Sequence, residues 1–252
     1  MSGHSKWATI KHRKGAADKA RGKLFAKVLR QVEVAAREGG GSVEANATLR
    51  TMVQKARDAS VPVDTIERAI KRGTGELEGV HYEEISYEGY AANGVAVIVE
   101  CLTDNRNRTG SEVKNVFSRN GGSFAEPGAV AWQFQRKGIV IVPRAGDLSE
   151  DDLVLAGLEA GAEDVADQGD GWQVTTAPQD LHAVRTALEG AGIAVESADL
   201  TMLPTTSVEL ATEADARKVL RLLDALDEHD DVQNVFSNFD IPDDVLQAVG
   251  AE

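Results

Sequence analysis

Between residues 23 and 38 the apolar residues Phe25, Val28, Leu29, Val32 and Ala36 fall on one face at about 100° per residue, with Lys23, Lys27, Arg30 and Arg37 opposite. That spacing predicts an amphipathic helix, ended by Gly39, Gly40 and Gly41. A second helix is expected near residues 43–58, with Leu49, Met52, Val53 and Ala56 inward. Pro62 interrupts the chain. Asp64 and Glu67 then read as the N-cap and reciprocal partner of a short helix. Ile66, Ala69 and Ile70 face inward there, and Lys71 and Arg72 occupy the last turn before Gly73. Residues 1–20 have weak periodicity and few large apolar groups, and read as a basic arm, mobile when unbound and partly helical.

Past the glycine-rich stretch 73–79 the period changes. Tyr82–Tyr87 and Val95–Leu102 read as strands joined at Ala91–Gly94. Thr109 and Glu112 read as a capping box opening a helix with Val113, Val116 and Phe117 inward, ended by Asn120, Gly121 and Gly122. Ala129–Phe134 is expected to be a strand. Ile139–Val142 begins another series: a helix opened by Ser149 and Asp152 that carries Leu153, Leu155 and Leu158, strands near 164–166 and 172–175, a helix with Pro178 in its first turn, and a strand over 193–203. That βαββαβ order is ferredoxin-like, an architecture that by analogy would also suit a protein-interaction or ligand-sensing module. A strand–helix–strand remainder follows at 208–210, 212–226 and 232–236. It cannot bury its apolar face alone, and neither can residues 81–136. The expectation is therefore an α+β protein: a basic helical domain with its arm (1–78), a discontinuous α+β domain (79–136 plus 205–240), and an inserted ferredoxin-like domain (137–204).

The 252 residues carry net charge −14, but unevenly: +7 over residues 1–80, −1 over 81–140 and −20 over 141–252. Such a split suggests a polyanion-binding head on an acidic body. One cysteine, Cys101, cannot form an intramolecular disulfide, which fits a reducing cytoplasm, and the N-terminus lacks the apolar core of a secretion signal. No apolar run approaches the ~20 residues of a membrane helix, so no membrane partner is expected.

Candidate nucleic-acid contacts follow from this distribution. Lys6, Lys11, His12, Arg13, Lys14, Lys19, Arg21 and Lys23 crowd the arm, and Lys27 and Arg30 continue the row onto the helix. Each phosphate they neutralise releases condensed counterion, and Arg can grip a phosphate with two parallel hydrogen bonds. Trp7 could stack on an unpaired base, or simply pack into the helical domain. Arg106 and Arg108, in Asn105-Arg106-Asn107-Arg108-Thr109, stand between a strand and a helix start, where free N–H groups favour an anion; they could equally bridge domains through carboxylates. Lys71 and Arg72 could touch nucleic acid or merely complement a helix C-terminus.

Other patterns lead nowhere. Gly15, Gly22 and Lys23 do not make a phosphate loop: the glycines are too far apart and Leu24 occupies the Ser/Thr position. His4, His12, His81, His182 and His229 lack metal-ligand spacing to one another or to Cys101, which sits on an apolar strand and reads as core. Asp227, Glu228, Asp230 and Asp231 lack the alternating ligands and glycine of a calcium loop. No nucleophile–base pairing is legible. No cofactor, metal or catalytic residue is expected. The spacings are silent on oligomeric state.

The strings SGHSKWATIKHRKGAADKARGKLF, VAAREGGG, IERAIKRGTG and YEGYAANGVAVIVECLTDNRNRT resemble the YebC/PmpR family across almost the whole chain. The resemblance implies a three-domain cytoplasmic protein, a helical domain followed by two α+β domains, that is not an enzyme and binds nucleic acid. Bacterial members are described as probable DNA-binding transcriptional regulators, and related members as translation factors acting at the ribosome. Gly15, Gly110 and the strongly acidic C-terminal region depart from the usual pattern.

Overall fold

The computed structural model describes residues 18–144, 146, 148–169 and 171–250. Helix α1 (Asp18–Gly39) starts earlier than the apolar periodicity over 23–38 suggests. It packs against α2 (Ala47–Asp58) and α3 (Val63–Gly73) around Val28, Val32, Ala36, Leu49, Val53 and Ile66. Asn46 joins the first two helices. Its side-chain oxygen accepts from the Leu49 N–H at 3.0 Å, capping α2, while its amide donates to the Ala35 and Gly40 carbonyls at the end of α1. The cap expected at Asp64 is not formed. Helix α3 already begins at Val63, because the Pro62 carbonyl accepts from Thr65 and Ile66, and Asp64 pairs with Arg68 at 3.0 Å. Gly73 lets α3 close on α1: a Cβ there would lie 2.3 Å from the Glu33 carbonyl oxygen.

Strands β1 (Glu83–Tyr90) and β2 (Ala96–Thr103) form an antiparallel pair. Helix α4 (Arg106–Arg119) and the short strand β3 (Ser123–Ala125) follow. The capping box expected at Thr109 is replaced by an earlier cap: the Asn105 side chain accepts from the Arg108 N–H at 3.1 Å, which draws Thr109 into the helix and buries it. The strand expected over 129–134 is also absent. Glu88, buried on β1, accepts from the N–H groups of Gly128, Val130 and Ala131 at 2.6, 2.6 and 2.9 Å. That grip bends the segment, which forms a 3-10 turn at Ala131–Gln133, and β4 (Phe134–Pro143) starts only afterwards.

Gln135–Leu203 form one compact unit. Within it, α5 (Glu150–Gly157) opens with the Ser149/Asp152 capping box, and β5 (Ala162–Asp167), β6 (Gly171–Thr176), α6 (Leu181–Gly190) and β7 (Ser197–Pro204) complete a βαββαβ chain. The sheet order β5-β6-β4-β7 is the ferredoxin-like arrangement. Its core holds Val140, Val142, Leu153, Trp172, Val174, Val184 and Leu188. Pro178 precedes α6 rather than occupying its first turn. Leu153 is buried, but Leu155 and Leu158 on the same stretch are 83% and 63% exposed.

The remaining described residues form the second compact unit. After β7 come β8 (Val208–Glu209), α7 (Glu213–Asp227) capped by Thr212, β9 (Val232–Ser237), β10 (Phe239–Asp240) and α8 (Asp243–Gly250), a helix beyond the last expected strand. Strand β9 pairs antiparallel with β2, so the sheet β3-β1-β2-β9 joins strands from both sides of the Gln135–Leu203 segment. Its core combines Val95, Val97, Val99, Val113 and Phe117 with Leu220, Leu223, Leu226 and Val235. The molecule is thus α+β: helices first, then mixed helix and sheet.

Candidate nucleic-acid interface

Lys6, Trp7, Lys11, His12, Arg13 and Lys14 lie outside the described residues, as do the side chains of Lys19 and Arg21. The other candidates are resolved into distinct environments.

Lys23, Lys27 and Arg30 recur at i, i+4 and i+7, which puts them on one face of α1. That face meets the loop after α7. Lys23 Nζ donates to the Glu228 carbonyl at 3.0 Å, and Lys27 Nζ to the Asp227 carbonyl at 2.6 Å. Arg30 donates to the Asp230 carbonyl at 2.6 Å. The carboxylates of Asp227, Asp230 and Asp231 stand 3.5, 3.9 and 3.6 Å from Lys27, Lys23 and Arg30 respectively. Cations suit this place, because a helix C-terminus presents unpaired carbonyls and the negative end of the dipole. The Arg30 guanidinium also lies 5.4 Å from the centre of the Tyr82 ring.

The paired residues Lys71 and Arg72 point apart. Lys71 is exposed in the last turn of α3. Arg72 turns inward, its Nε donating to Glu33 at 3.0 Å, and Arg37 reaches the same buried carboxylate at 3.3 Å. Arg72 thus staples α3 to α1.

Arg106 and Arg108 also divide. Arg106 is exposed, with Glu83 at 3.7 Å, and its carbonyl accepts from the Tyr87 hydroxyl. Arg108 belongs to a network centred on buried Asp231. Its guanidinium donates to Asp231 Oδ2 at 2.7 Å and Asp104 Oδ1 at 2.9 Å, with Glu112 at 3.9 Å. Thr109 Oγ1 lies 2.7 Å from the same Asp231 oxygen and 2.7 Å from Thr103 Oγ1. Burial alone would raise the Asp231 carboxyl, but hydrogen bonds from Arg108 and Thr109, with the Arg108 charge, hold it below the usual carboxylate range. Asp231 therefore binds α1 through Arg30, α4 through Arg108 and Thr109, and β2 through the Leu102 N–H.

This network was only partly legible in the sequence. The Asn105–Thr109 string stands out, but Asp231, the carboxylate at the centre of the network, lies 123 residues from Arg108 in the chain. His229 Nε2 sits 2.9 Å from Glu112 Oε2, and its Nδ1 accepts from the Asp231 N–H at 3.2 Å. Glu112, His229 and Asp231 each bring one ligand-type atom within 4.8 Å of the others, a cluster that histidine spacing did not signal. The Arg108 guanidinium already supplies positive charge there, hydrogen-bonded to Asp231 and beside Glu112.

Cys101 is buried on β2; burial, reinforced by the Asp231 charge, pushes its thiol up to about 12. Trp132, which lies in the span expected to be a strand, sits instead in the 3-10 turn and is 71% exposed. Among the described residues no helix is long and apolar enough to cross a membrane.

Comparison with known proteins adds the family. A model described as the TACO1/YebC protein N-terminal domain matches residues 5–76, and one described as the TACO1/YebC second and third domain matches residues 82–239. A probable transcriptional regulatory protein of Streptomyces coelicolor is 56% identical over 252 residues, covering 100% of both chains. One of the same description from Halothermothrix orenii is 52% identical over 253 residues, again covering 100% of both. The crystal structure of a conserved hypothetical protein from Aquifex aeolicus is 48% identical, with a TM-score of 0.80, covering 89% of this chain and 92% of that one. With both models matched in order and relatives aligned end to end, the chain belongs to the TACO1/YebC family.

Proposed function

We propose that this protein is a cytoplasmic, non-enzymatic regulator of gene expression that binds nucleic acid, acting on DNA as a transcriptional regulator. The observation that carries the reading is the segregation of charge: +7 over residues 1–80 against −20 over 141–252. The basic head supplies phosphate affinity that tolerates sequence, and the acidic trunk is repelled from the same polymer. Relatives that align over the full chain carry the name probable transcriptional regulatory protein, which agrees with this role.

A second reading, a factor that binds ribosomal RNA and assists translation, is favoured by one feature of the helical domain. Were α2 and α3 to act as a helix-turn-helix, the first turns of α3 would enter the major groove. Those turns expose Asp64 and Glu67 against a single basic side chain, Arg68, which is paired with Asp64, while Ile66 and Ala69 are buried in the core. Recognition through backbone phosphates and shape, as on structured RNA, tolerates that arrangement better. Gel shifts on promoter and random duplexes, beside cosedimentation with ribosomes at the same salt, separate the two. The DNA reading predicts tighter binding to promoter than to random duplex. Equal binding to both duplexes, together with salt-sensitive retention on ribosomes, would overturn it in favour of RNA.

A further inference from the structure

The row Lys23, Lys27 and Arg30 continues the basic arm onto α1 and is, by sequence alone, open to a phosphate backbone. It runs about 10 Å along one face of α1. Its partners at the end of α7 include three main-chain carbonyls, those of Asp227, Glu228 and Asp230, and the carboxylates of Asp227, Asp230 and Asp231. Oxygen acceptors of that density, at the negative end of a helix, resemble a short run of phosphates in charge and in hydrogen-bonding character. The apolar cores on the two sides are separate. Val28, Val32, Leu49 and Ile66 pack within the helical domain, and Val97, Phe117, Leu223 and Val235 pack behind the first sheet. The α1 row therefore meets the α7 loop through polar and ionic bonds, which water and salt can replace far more cheaply than they can replace buried apolar area.

We propose that the segment Asp227–Asp231 is an internal competitor for nucleic acid: it occupies the cationic row of α1 in the free protein, and a bound phosphate backbone must draw that row away from it, with Asp231 still fixed to Arg108 and Thr109. The proposal rests on the nucleic-acid reading above and names the regulation of that same surface. Competition of this kind raises the threshold for binding. Isolated phosphates and short or weakly charged polymers do not repay parting the row from this segment, whereas a strand that also engages the arm does. It also gives the acidic trunk a specific task, beyond general repulsion, at one stretch of five residues.

The test uses the full chain. Asp227→Asn and Asp230→Asn are combined, leaving Asp231 intact because its carboxyl holds Arg108 and Thr109. A control carries the same charge change elsewhere, Asp151→Asn with Glu159→Gln, two exposed positions of the Gln135–Leu203 unit. Both are titrated against a labelled random-sequence duplex and an RNA hairpin at low and high salt. The expected result is a gain in affinity of about threefold or more for the loop variant over the control at low salt, shrinking as salt rises. The single change Asp230→Asn, whose side chain is 77% exposed and carries little of the fold, should shift affinity in the same direction by less. If intact protein binds and both loop variants bind no tighter than the control, the competition is overturned while the nucleic-acid reading stands. If no form binds either probe, the reading and the competition fall together.

Discussion

Two buried carboxylates, Glu88 and Asp231, hold turns by gathering donors from distant stretches of the chain. Glu88 receives three backbone N–H groups, and although burial by itself would raise its carboxyl, those donors keep it below the usual range. Asp231 is lowered likewise, through Arg108 and Thr109. A carboxylate depressed in the folded state stabilises the fold above its unfolded pKa, near ~4, and that contribution fades as pH falls through the folded value. Glu88→Gln should therefore cost about 1–3 kcal/mol at neutral pH and less in acid, where the native carboxyl is itself protonated. Urea titrations of both proteins at neutral and acidic pH check this; an equal loss at both would contradict it. At Cys101 the expectation concerns reactivity. A thiol pushed up to about 12 and sealed on β2 should resist alkylating reagents at mildly alkaline pH until denaturant is added.

At the scale of elements, close approach of backbones decides more than side-chain pattern does. Gly73→Ala would bring a methyl group against the Glu33 carbonyl, and should cost about 1–3 kcal/mol, read as an earlier thermal transition followed by circular dichroism. Asn46→Ala should cost about 1–2 kcal/mol, since it removes the α2 cap and the tie to the end of α1 together. Elements with a clear period were legible in the sequence. The amphipathic face of α1, the apolar run of β2 and the Ser149 cap of α5 all declare themselves locally. Starts set by competition between neighbouring caps were not. Asn105 outcompetes Thr109 because Thr109 is drawn to Asp231, far along the chain. The turn at 128–131 depends on Glu88, forty residues upstream of Gly128. Short pieces such as β3 and β10 carry no periodic signal at all. Within the candidate interface, positive charge was legible, but its direction was not. Lys71 faces outward beside an inward-turned Arg72, and the α1 row is met by carbonyls rather than solvent.

For the whole molecule the governing fact is the separation of charge along the chain, with a surplus of bases in the first 80 residues and a large surplus of acids beyond 140. If that polarity organises binding, affinity must come mainly from the head and must weaken steeply as counterions accumulate. The most direct measurement is the slope of log Kd against log salt for a random duplex, taken for the intact protein and for one with Lys6, Lys11, Arg13 and Lys14 all changed to Gln. The neutralised arm should bind more weakly, with a slope shallower by about 3.6, which is roughly 0.9 for each of the four phosphates that it no longer neutralises. Coincident lines for the two proteins, in both position and slope, would contradict it.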